Sequence, residues 1–102
     1  MGRTLLGNVI ADWRAYDLDD SIYIPTGAVP SLETIVSVLS FDPARKRVFE
    51  GQQYLLGIEQ VRDVVTGLER QIGRVATSHE RLRAVAHYAA HDAFIDPRDA
   101  IG

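Results

Sequence analysis

His87 and His91 stand four residues apart in a stretch of helical pattern, so both imidazoles face the same way, and Asp92 follows as a conceivable carboxylate ligand. Two helical histidines are half a zinc site. A metalloprotease helix also needs a Glu directly after the first His as general base, and Tyr88 occupies that position. The chain has no cysteine, and His79 lies two turns earlier, so a third and fourth ligand would have to come from carboxylates elsewhere. No metal site and no cofactor is assigned on this pattern. The pair reads as a polar or partly buried helix face, with a metal-dependent enzyme using His87, His91 and a carboxylate as the remote alternative.

Other catalytic parts are also missing. Ser21, Ser31, Ser37, Ser40 and Ser78 sit in capping, turn or strand contexts, and none lies in a Gly-x-Ser-x-Gly elbow. The eight glycines are scattered and form neither Gly-x-Gly-x-x-Gly nor a loop ending in Gly-Lys-Ser/Thr. Asp17, Asp19 and Asp20 are three carboxylates within four residues, but no His or Lys flanks them and so short a turn is well hydrated. No catalytic residue is assigned.

The same acidic turn fits a binding role better. Asp17, Asp19 and Asp20, with Asp12 about one helical turn earlier, concentrate negative charge in a chain whose net charge is only -3. Like charges held this close weaken the free protein slightly, a cost that becomes intelligible if a basic surface covers them. Tyr16 and Tyr23 flank the cluster and are of the type that anchors interfaces. Aspartate is also commonly used simply to end a helix and begin a turn, and that reading stands beside the first.

Composition narrows the partner. Eleven Lys plus Arg against fourteen Asp plus Glu leave no excess of positive charge for a phosphate backbone, so direct nucleic-acid binding is disfavoured. Ten of the eleven basic residues are Arg, Lys46 being the exception, which GC-rich coding explains as readily as function does. The absence of cysteine suits a reducing cytoplasm. No apolar run reaches the roughly 20 residues that cross a bilayer, and Met1 to Leu6 lacks the apolar core of a signal peptide, so a cytoplasmic protein is expected. The chain has 102 residues, 46% of them hydrophobic, and reads as a single folded domain spanning 1–102. That length supports one core without a deep substrate cavity.

Hydrophobic spacing sets out the elements that must hold these residues. Leu5, Val9, Ile10 and Trp13 predict a helix from about Thr4 to Tyr16. Ile22 to Ile24, stopped by Pro25 and Gly27, predict a short strand. The β-branched crowd in Leu32 to Phe41 predicts a second strand, with a helix capped by Ser31 as the rival. Val48, Phe49 and Tyr54 to Leu56 supply a third, bent or bulged at Gly51. From Ile58 to Ile72 the apolar period is clearly helical and ends at Gly73. Thr77 and Glu80 make a capping box for a last helix, Ser78 to Phe94, and the tail to Gly102 is pinned by Ile101. The expected class is α+β, a small antiparallel sheet of two to three strands packed with an N-terminal helix and a C-terminal helical hairpin.

Trp13, the run Asp19 to Pro25 (Asp-Asp-Ser-Ile-Tyr-Ile-Pro) and the run Tyr54 to Val65 together resemble a group of small bacterial proteins, some of which are similar to immunity proteins of contact-dependent growth inhibition. The resemblance covers roughly positions 13 to 72 and does not reach the last helix. It implies a non-catalytic cytoplasmic antidote that binds one cognate toxin domain, often a nuclease or tRNase, and occludes its active site. It carries no residue set for toxin contact, so Asp12, Tyr16, Asp17, Asp19, Asp20 and Tyr23 are assigned to partner binding from charge and residue type alone. The alternative is a homo-oligomeric structural or regulatory module, for instance a homodimer joined at a sheet edge or along the Ala-rich last helix.

Overall fold

The computed structural model describes residues 2–101; Met1 and Gly102, the outermost residues of the expected 1–102 domain, lie outside them. The fold is α+β, with one five-stranded antiparallel sheet rather than two or three strands. In chain order the elements are β1 (Gly2–Leu5), α1 (Leu6–Ala11), a 3-10 turn (Trp13–Ala15), β2 (Ser21–Pro25), β3 (Ile35–Leu39), β4 (Val48–Phe49), β5 (Gln52–Gly57), α2 (Ile58–Ile72), α3 (Ser78–His91) and α4 (Pro97–Ala100). Across the sheet the order is β1-β3-β2-β5-β4.

The two extra strands arise at places where tertiary pairing overrides local pattern. The segment expected to begin a helix at Thr4 instead forms β1, paired Leu5 to Ile35 and Thr4 to Val36 along β3. The chain turns helical only at Leu6, whose N–H donates to the Thr34 carbonyl while that of Gly7 donates to Leu32. Helix α1 then buries Leu6, Val9 and Ile10, and Trp13 follows in a tighter turn. The expected third strand divides at Glu50 and Gly51, both with positive φ (51° and 77°). That is the backbone sign a type I′ turn requires, and it makes β4 and β5 a two-residue hairpin instead of one bulged strand. A register shift does occur, but between Ile22 and Tyr23 where β2 meets β5.

The second strand falls within the expected segment, as Ile35–Leu39. The rival helix fails because the segment is paired on both sides, with β1 and with β2. Helix α2 has the expected bounds, with Gly73 left-handed just beyond its end. Helix α3 stops at His91 rather than Phe94, because Asp92 takes a left-handed conformation and its N–H closes onto the Tyr88 carbonyl. The tail folds into α4, pinned by the fully buried Ala100; Ile101 is exposed.

Helices α1 and α2 pack on one face of the sheet, and α3 packs against both of them. Ile22, Ile24, Val36, Val38 and Leu56 meet Leu6, Val9 and Ile10 of α1, Val61, Val64, Val65 and Leu68 of α2, and Ala84 and Val85 of α3 in one core. The alanines let α3 lie close to its neighbours. Among the described residues no helix is long and apolar enough to cross a membrane.

One ion-pair knot ties the α2–α3 loop to α3, and a second joins α2 to α3. Arg74 donates two hydrogen bonds to the buried Glu80 carboxylate, 2.8 Å each, and Glu80 also accepts from the Thr77 N–H to complete the capping box. Glu69 accepts from Arg81 (2.7 Å) and from the Ala76 N–H (2.9 Å), and the Arg81 guanidinium reaches on to the Ile10 carbonyl at the end of α1 (3.3 Å). Desolvation alone would raise the Glu69 pKa, but these hydrogen bonds outweigh it and hold the carboxyl below its ordinary value. Stability from a depressed carboxyl is fully present above its unfolded pKa and is lost as pH falls through the folded one. In Glu69→Gln, the loss of melting temperature between pH 6 and pH 3 is therefore expected to be smaller than in wild type; equal losses would sink the assignment.

Candidate functional site

The acidic turn is tied by backbone hydrogen bonds both within itself and to the start of α2. Asp17 to Asp20 forms a turn closed by the Asp20 N–H on the Asp17 carbonyl (3.0 Å), and it lies against the start of α2. The N–H of Ile58 donates to the Asp20 carbonyl (2.9 Å) and that of Glu59 to Leu18 (3.3 Å), so the turn supplies acceptors that a helix N-terminus lacks. Gln60 folds back to accept from the Gly57 N–H (2.8 Å) and from the Tyr54 hydroxyl (3.2 Å). Carboxylates here sit near the positive end of a 15-residue helix, a placement worth about 0.3–1 kcal/mol at an exposed site. The turn reading and the binding reading of these aspartates are thus compatible: the backbone caps the helix while the side chains of Asp17 and Asp19 stay exposed.

Around the turn the surface is concave. A groove of about 260 Å³ is lined by Leu18, Asp19, Asp20, Ser21, Phe41, Tyr54, Glu59 and Gln60. A second hollow of about 560 Å³ adjoins it, between Asp17 to Asp20 and the Ser40–Phe41 segment that leaves β3. Phe41 is 68% exposed and Leu18 41%, so two apolar side chains stand in water beside four carboxylates, Glu59 being the fourth. Burial pushes the Tyr54 phenol above its ordinary pKa in spite of the Arg47 guanidinium over its ring (4.7 Å), which keeps it a neutral donor in the groove wall.

Of the six residues assigned to partner binding from sequence, Asp17, Asp19 and Asp20 line these concavities. Tyr16 lies next to them, in a hollow shared with Arg3, Thr4, Asp20 and Val38. Asp12 is exposed at the end of α1 and lines neither concavity. Tyr23 is a correction: it is 5% exposed and cannot anchor a partner. Its ring points to the sheet face away from the helices, where it packs edge-on against Phe49 (5.1 Å) and Tyr54 (5.8 Å) under the Arg45 guanidinium. Phe41, Leu18 and Glu59 were not found by sequence reasoning. An aromatic immediately before Asp42-Pro43, a pair that marks a loop, is the one signal that pointed to Phe41.

The two histidines do come together. The His87 and His91 rings have centroids 4.5 Å apart on α3. Among the described residues no group of three or more His, Cys, Asp or Glu is placed to hold a metal ion.

No curated protein and no solved structure matches the chain. One family does, over residues 3–97, from the second residue of β1 to the first of α4. With the sheet, all three longer helices and the acidic turn inside that span, the chain belongs to DUF7716, a domain family of unknown function.

Proposed function

We propose that this chain is a binding protein without chemistry of its own, which neutralises a partner by seating its acidic groove on a basic surface. The carrying observation is the pairing of exposed Phe41 and Leu18 with Asp17, Asp19, Asp20 and Glu59 on one concave, backbone-braced surface. Apolar side chains at the centre of a charged rim are what a protein interface uses for affinity, and the charges set partner choice and association rate. The resemblance to immunity proteins supplies the kind of partner, a nuclease or tRNase toxin domain whose substrate cleft is basic. The acidic groove would then exclude RNA or DNA by charge and shape, inside the cytoplasm of the cell it protects.

A second reading, a homodimer, is favoured by one observation. Strand β1 is an outer strand of the sheet, and its cross-strand pair Leu5 and Ile35 is exposed.

One experiment separates the two. With the protein as bait in extract of its source cell, retention through a salt wash of the C-terminal domain of a large secreted or surface protein is expected. The Asp17→Asn/Asp19→Asn/Asp20→Asn variant should bind that domain at least tenfold more slowly and with weaker salt dependence, and Phe41→Ser should speed its release. Unaltered kinetics in both variants would remove the groove from the interface. Recovery of the bait alone, sedimenting as a tight dimer, would favour the second reading.

A further inference from the structure

We infer that His87 and His91 form a two-imidazole binding site for a late first-row divalent ion, Zn²⁺, Ni²⁺ or Cu²⁺. The inference stands on α3 alone and does not depend on the acidic groove.

The rings already lie near chelating positions. A Zn–N bond of about 2.0–2.1 Å puts the centre of an imidazole about 3.2 Å from the metal. Two such arms meeting at right angles hold their ring centres about 4.5 Å apart, and at the tetrahedral angle about 5.2 Å. The observed separation is 4.5 Å with the ring planes inclined at 46°. Rotation about the broad, soft χ2 turns the nitrogens of each ring while leaving its centre nearly in place.

The nitrogens are also unclaimed. Among the described residues neither imidazole has a hydrogen-bond or ion-pair partner, although His87 is half-buried. The local charge suits a cation. His91 is the last residue of α3, where the free carbonyls form the negative pole of the helix, and Asp92 caps that end. Arg83, four residues before His87 on α3, has its guanidinium on the Ala100 carbonyl at 2.6 Å. Imidazole selects Zn²⁺, Ni²⁺ and Cu²⁺ over the oxygen-loving Mg²⁺ and Ca²⁺. Two donors leave the remaining coordination positions to water or to a group on another molecule, so the site binds an ion without enclosing it.

Calorimetric titration of the full chain with the chloride salts of zinc and nickel tests this. The expected result is saturable binding of one ion per chain, absent with MgCl₂, and a rise in melting temperature with added metal. His91→Ala, at an exposed helix end, should weaken binding at least tenfold and abolish the rise, as should His87→Asn. His79→Ala, on the same helix and exposed, should change neither. No saturable binding in wild type, or wild-type affinity in His91→Ala with its fold intact by circular dichroism, would overturn the inference.

Discussion

Arg74→Met is expected to lower the denaturant midpoint more than Glu80→Gln does, although Arg74 is the more exposed of the two. The side chains differ sharply in setting: Glu80 is 3% exposed and Arg74 49%. Removing the arginine takes two charge-assisted hydrogen bonds from a carboxylate that water barely reaches, which is the costly way to break such a pair. Removing the charge from Glu80 leaves a half-exposed guanidinium free to hydrate, while the glutamine oxygen still accepts from the Thr77 N–H. Denaturant titration of both variants beside wild type checks the order. A midpoint shift in Arg74→Met no larger than that in Glu80→Gln would class the pair with ordinary surface ion pairs.

Trp13→Ala should cost about 3–5 kcal/mol, and Trp13→Phe much less. The indole is 7% exposed and belongs to the common core of the sheet and helices, so truncation leaves a large void. The indole N–H is buried with no acceptor from the described residues, while the Arg14 guanidinium stacks over the ring at 4.4 Å. Phenylalanine keeps a ring in place and removes the polar group, so part of its lost contact area is offset. Urea unfolding followed by far-ultraviolet circular dichroism separates the two, because the chain's one tryptophan is itself altered. Equal losses in both variants would mean that the indole nitrogen makes a bond worth keeping.

Helix α2 was legible residue by residue, because fifteen residues of unbroken apolar period followed by a left-handed glycine leave little competition. The capping box at Thr77 and Glu80 was legible too, although not that Glu80 would be buried beneath Arg74. What escaped was every strand whose reason for existing lies elsewhere in the chain. Thr4 and Leu5 fit a helical stripe as well as an extended one, and only Val36 and Ile35 on β3 decide between them. Glu50-Gly51 is a hairpin turn without the Asn or Asp that usually announces one.

The candidate site shows the same division. The carboxylates were visible because charge clusters are local facts of sequence. Phe41 and Glu59 reach the groove from distant segments, through the end of β3 and the seating of α2 on the turn. Tyr23 failed for a related reason: alternation along β2 puts it opposite Ile22 and Ile24, and a second apolar layer made by Phe49 and Tyr54 covers it.

The strand order also bears on how the chain reaches its native state. The β4–β5 hairpin closes over two residues, but β1 must find β3 about thirty residues away, and β2 must find β5 at a similar distance. Both long closures lose chain entropy before any contact repays it, so the chain belongs kinetically with the slower mixed α/β domains. During synthesis from the N-terminus, β2 has only β3 beside it until the sequence through Gly57 has left the ribosome. Until α2 follows, the apolar faces of β1 to β3 have only the short α1 to cover them.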